Sequence, residues 1–151
     1  MAVHISKIMA HISNNQRVAA GITLAIALIL ITPLCGYLFQ CGCTWPWSGL
    51  DSACNSYDST ALHRCPWCAS LLAGWLSTAL ALLAGLAAAT AYRPIFGAGK
   101  FVETTARILF GVAVFCVVAF VAAGISAKTQ HYSLGIFAVN NEAKREAVGN
   151  H

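Results

Sequence analysis

The chain has 151 residues, 58 % of them hydrophobic and only 9 % charged, where ordinary soluble chains carry roughly 25 % charged residues. That balance excludes a conventional water-soluble domain. The net charge of +4, spread without any basic run, gives no nucleic-acid-binding face.

The charges are also segregated. No Asp, Glu, Lys or Arg occurs at 18–50, 65–92 or 108–127, gaps of 33, 28 and 20 residues. A helix needs about 20 apolar residues to cross the hydrocarbon core. The expectation is therefore an all-α integral membrane protein, one domain over 1–151, with three transmembrane helices and a Cys/Trp-rich extracytoplasmic loop between the first two.

Residues 1–17 form a cytoplasmic tail with Lys7 and Arg17 and no acid. The spacing of Val3, Ile5, Ile8, Met9 and Ile12 is roughly helical, as in a segment lying on a bilayer. The first span is 18–39. A basic start before an apolar run also describes a secretory signal. Here the run is long, and its exit, Thr32-Pro33-Leu34-Cys35, has no small-x-small cleavage site. Pro33 and Gly36 are expected to kink or end this helix, since proline deletes a backbone donor.

The loop 40–68 holds five of the seven cysteines and three of the four tryptophans within Cys41–Cys68. The second span, 69–92, carries Ala81, Gly85 and Ala89 four apart, a small-residue face that lets another helix approach. A cytoplasmic loop at 93–107 and a third span at 108–127 follow, with Ala119 and Ala123 at the same spacing. The extracytoplasmic tail 128–151 offers a strand-like stretch at 132–137 and a short helix over 141–148 capped by Asn140 or Asn141.

Orientation follows the Lys/Arg bias. The first tail and the 93–107 loop, with Arg93, Lys100 and Arg107 against Glu103, belong in the cytoplasm. The cysteine loop, with Arg64 against Asp51 and Asp58, belongs on the other side. Trp45, Trp47, Trp67 and Trp75 all fall on that side, where indole rings anchor at the headgroup zone. The membrane is expected to be of the bacterial inner type.

Three chemistries compete for the sulfur. Outside the cytoplasm cysteines oxidise. Cys35, Cys41, Cys43, Cys54, Cys65 and Cys68 make an even set of disulfide candidates, with pairing left open. A loop with so little aliphatic content needs such staples, each worth about 2–4 kcal/mol. Alternatively, Cys65-Pro66-Trp67-Cys68 sits where the second span begins, and a helix N-terminus lowers a thiol's pKa. This tetrapeptide resembles the Cys-Pro-aromatic-Cys site of glutaredoxins. Its placement is similar to that in membrane disulfide-forming oxidoreductases that pass electrons to quinone, although those have four helices. The resemblance implies Cys65 as attacking thiol, Cys68 as resolving thiol and Cys41/Cys43 as a shuttle pair. The third chemistry is metal: Cys41, Cys43, Cys65 and Cys68 can supply four thiolates, with His63 or Cys54 as substitutes.

Cys116, in the third span, reads as a small hydrophobe. No histidine lies within a span and no Cys-x-x-Cys-His occurs, which excludes bis-His and covalent haem. No charged side chain lies at membrane depth, which argues against a pump.

These features together predict a non-catalytic accessory subunit of a larger membrane redox or metal enzyme, docked through a disulfide-stapled loop. It would need no cofactor of its own, and its partners would be the bilayer and other membrane subunits. A membrane thiol–disulfide oxidoreductase and a metal-binding membrane protein are the alternatives. Membrane-impermeant maleimide is expected to label a Ser48→Cys variant in intact cells above the unaltered chain; labelling of it only in inverted vesicles would overturn the orientation.

Overall fold

The computed structural model describes residues 13–57, 64–93 and 99–132. Among these there are four helices and no strand: α1 (Asn14–Phe39), α2 (Pro66–Ala69), α3 (Leu71–Ala91) and α4 (Lys100–Thr129). Three of them, α1, α3 and α4, are long and apolar enough to cross a membrane. Their surfaces fit that solvent. Leu72, Trp75, Leu83, Leu109 and Val117 are all more than 60 % exposed, a pattern that lipid accommodates and water penalises. The expected amphipathic tail segment, and the strand-like and capped-helix stretches after Tyr132, lie outside the described residues.

The helix ends differ from the expected spans for local reasons. α1 begins at Asn14 rather than 18 because Ser13 and Gln16 form a reciprocal capping box. Gln16 Oε1 accepts from the Ser13 N–H at 2.7 Å and Ser13 Oγ accepts from the Gln16 N–H at 3.4 Å. The helix runs on through Pro33 and Gly36 and stops at Phe39, where Gln40 turns left-handed (φ 49°). α4 begins at Lys100, about two turns before the expected 108. Its charged first turns are stabilised by an Arg107–Glu103 ion pair at 2.9 Å, one helical turn apart.

The chain divides into two compact units, one drawn from Met1–Ala27 and Leu80–Val118, the other from Leu28–Ala79 and Ala119–His151. In the first, backbones approach closely. Ala81 and Ala89 of α3 are buried. A Cβ added at Gly85 would stand 2.9 Å from Phe115 Cβ and 3.0 Å from the Gly111 carbonyl; one at Gly111 would stand 2.8 Å from Ala89 Cβ and 2.9 Å from the Gly85 carbonyl. The small-residue face is thus consumed within this unit. Arg107 is 5 % exposed and donates to the carbonyls of Ala89 (3.4 Å) and Thr90 (3.2 Å). A cation there caps the C-terminal end of α3. Gln16 Nε2 adds a third bond, to the Thr90 carbonyl at 3.0 Å.

In the second unit the core is Cys35, Leu38, Phe39, Cys41, Cys43, Cys54, Cys65, Ala123 and Ala127. Over half of that core is sulfur-bearing, and Leu34, Trp67, Cys68 and Tyr132 pack around it.

Gly111→Val is expected to destabilise the detergent-solubilised protein by about 1–3 kcal/mol through overpacking. Gly21→Ala, where an added Cβ meets nothing within 4 Å, is expected to be neutral or stabilising by up to about 1 kcal/mol. Thermal unfolding of the two variants side by side checks this.

Candidate metal centre

Four short pieces of chain deliver the sulfurs. Cys35 lies one turn before the end of α1. Cys41 and Cys43 follow directly after the helix stops. Gly42 between them has φ +89°, and a Cβ there would run into the Ala53 carbonyl. A Cβ at Gly36 would likewise strike the Cys43 carbonyl. Both positions therefore need glycine for the chain to fold back on the helix end.

Tight turns then carry the chain to Cys54. Thr44 N–H donates to the Leu50 carbonyl (2.7 Å), Ser52 N–H to Gly49 (2.9 Å) and Cys54 N–H to Asp51 (2.9 Å). Asn55 N–H donates to the Cys41 carbonyl at 2.8 Å and ties the outgoing and returning arms together. Cys65 precedes α2, with Pro66 at the first helical position. Cys68 follows three residues on, which brings both sulfurs to one side of the turn.

The result is one cluster. Cys35 Sγ lies 3.6 Å from Cys41 Sγ, 3.5 Å from Cys65 Sγ and 3.7 Å from Cys68 Sγ. Cys43 Sγ lies 3.4 Å from Cys41 Sγ and 3.6 Å from Cys68 Sγ. The sulfurs of Cys35, Cys41, Cys65 and Cys68 are all within 4.8 Å of one another, and so are those of Cys41, Cys43, Cys54 and Cys68. All but Cys68 are buried.

The disulfides expected from the sequence are not formed. All seven cysteines are free thiols, and the sulfur pairs are far beyond the S–S bond length of about 2.05 Å. The physical reason is convergence: each sulfur faces several others across a common centre instead of a single partner. The quartet offered as an alternative metal reading is not the one that forms. Cys41, Cys65 and Cys68 share a group, but its fourth member is Cys35. Cys35 looked like part of an apolar span, and only the fold-back at Gly36 and Gly42 brings the loop to it. Cys43 groups instead with Cys54. His63 lies outside the described residues. Cys116 belongs to the first unit, within α4.

Polar groups brace the cluster. Asn55 Oδ1 accepts from the Cys65 N–H at 3.0 Å, and Asn55 Nδ2 donates to Tyr132 Oη at 3.1 Å. Tyr132 Oη donates in turn to the Phe39 carbonyl at 3.1 Å, and burial holds its phenol above the ordinary range, hence protonated. Ser56 Oγ donates to Cys54 Sγ at 3.3 Å. Phe39 packs edge-on against Trp67 and Tyr132 at 5.5 and 5.8 Å. Of the expected tryptophan anchors, Trp67 packs against this core while Trp45 and Trp47 stack on each other at 5.1 Å and Trp75 is exposed on α3.

Tetrahedral coordination at the zinc–thiolate bond length of about 2.3 Å puts sulfurs about 3.8 Å apart. The sulfur spacing of 3.5–3.7 Å around Cys35 is close to that edge. Thiolates on different irons of an iron–sulfur cluster stand further apart, because inorganic sulfide intervenes. Neither sulfur group includes a carboxylate or an imidazole among the described residues. Comparison with known proteins returns no matching family model, no matching curated protein and no matching solved structure.

Asn55→Ala removes the acceptor for Cys65 N–H and the donor to Tyr132, and is expected to cost about 1–3 kcal/mol. The checks are thermal unfolding in detergent and the alkylation rate of the cluster thiols, which should rise.

Proposed function

We propose that this chain is a membrane protein that holds a zinc-class metal ion in a thiolate centre. The carrying observation is the quartet of Cys35, Cys41, Cys65 and Cys68, whose sulfurs lie mutually within 4.8 Å, with Cys35 3.5–3.7 Å from the other three. Thiolate ligands select soft and borderline ions. Four-fold grouping favours zinc over copper(I), which is satisfied by fewer thiolates.

A centre made of thiolates alone leaves no position for water or substrate, as in structural zinc sites. The role is therefore metal holding and not metal-assisted catalysis. The Lys/Arg distribution supports an extracytoplasmic centre, in a membrane taken to be of the bacterial inner type. Metal-bound thiolates resist oxidation there, because the sulfur lone pairs are engaged.

The accessory-subunit role expected from the sequence rested on spans without polar groups, small-residue faces and a stapled loop. Of these, the α3 face is occupied inside the first unit, and no sulfur pair stands at bonding distance. The thiol-exchange reading needs an accessible attacking sulfur, and Cys65 is 0 % exposed.

Full-length protein, purified in mild detergent under reducing conditions, is expected to bind zinc tightly and to show a thiolate charge-transfer band with cadmium. Cys35→Ser and Cys65→Ser should weaken zinc binding at least tenfold, and Cys116→Ser should not. Reduced, monodisperse protein that takes up no metal would overturn the proposal.

A further inference from the structure

The two sulfur quartets are not separate. Cys41 and Cys68 belong to both; Cys35 and Cys65 complete one, Cys43 and Cys54 the other. Two tetrahedra that share an edge have six corners, and six sulfurs are present. We infer that the centre is binuclear: two zinc-class ions, bridged by the thiolates of Cys41 and Cys68, with Cys35 and Cys65 terminal on one ion and Cys43 and Cys54 terminal on the other. This rests on the thiolate-centre reading above.

Placement of the sulfurs supports the second ion independently of the first quartet. Cys43 and Cys54 take no part in that quartet, yet both are buried and both lie within 4.8 Å of its Cys41 and Cys68 sulfurs. Ser56 Oγ donates to Cys54 Sγ at 3.3 Å, the kind of outer hydrogen bond that orients a ligating sulfur.

Six thiols release six protons on taking up two divalent ions, and the cluster keeps two net negative charges, the same as one ion held by four thiolates beside two neutral thiols. No oxidation or reduction is involved.

The test is titration of the reduced, full-length protein with cobalt(II), followed by zinc stoichiometry from native mass measurement. Two ions per chain are expected. The high-spin cobalt EPR signal per ion should fall as the second ion enters, because bridging thiolates couple the two spins. Cys54→Ser should lower the count from two to one and abolish the coupling. Cys41→Ser should weaken retention of both ions against a chelator. Cys116→Ser should leave two.

One ion per chain, lost in Cys35→Ser and indifferent to Cys54→Ser, would overturn the pair while leaving the single-ion centre standing. Two ions with additive, uncoupled signals would overturn the bridge. No uptake at all would sink both readings. The cobalt titration uses the unaltered chain, so it decides the question even if a variant fails to fold.

Discussion

Convergence of six cysteine sulfurs around the end of α1 is the constraint on which the second unit is built. A thiol is a weak hydrogen-bonding group and packs much as a small hydrophobe does. Neutral, the six therefore form a dense but unremarkably apolar core, with Ala123, Ala127, Leu38 and Phe39 filling the rest. As thiolates they would repel one another strongly in the same volume. The cluster is thus comfortable in two conditions only, protonated or neutralised by cations. That dichotomy is what supports the proposed metal-holding role.

The bracing follows from the same demand. Sulfurs held to a common centre need their backbones fixed from outside, and the loop has few aliphatic side chains with which to do it. Asn55 bridges the Cys65 amide and Tyr132, and Tyr132 reaches the last carbonyl turn of α1 at Phe39. Polar side chains here do the work that aliphatic packing does in a larger domain.

In the first unit a different economy applies. Lipid supplies no hydrophobic drive for helices to associate, so close backbone approach and satisfied polar groups must do it. Gly85, Gly111 and Ala89 allow the approach. Arg107 spends its charge on Glu103 and on the terminal carbonyls of α3. A residue that reads in the sequence as a topology signal is, in the fold, a helix clamp.

Particular residues show where reading the sequence succeeds and where it stops. The three spans were legible, because apolarity summed along consecutive residues needs no knowledge of neighbours. Their ends were less so. The capping box at Ser13 and Gln16 is a local signal and was readable in principle; the α4 extension to Lys100 depends on an ion pair and on carbonyls of another helix. The site was half legible. All six cysteines stood together as disulfide candidates. As metal ligands Cys41, Cys43, Cys65 and Cys68 stood out, Cys54 only as a substitute and Cys35 not at all, and disulfides were expected where free thiols converge.

The amino-acid order by itself determined three lipid-compatible helices and a cysteine-rich connection, since helix length and hydropathy are properties of contiguous chain. Which sulfurs meet, and in which groups, was decided by tertiary structure alone. Those meetings depend on two glycines that let the backbone turn back on the helix end, and no spacing rule encodes a fold-back. The shared positions of Cys41 and Cys68 exist only once the helix end, the returning loop and the turn at Pro66 occupy the same few ångströms.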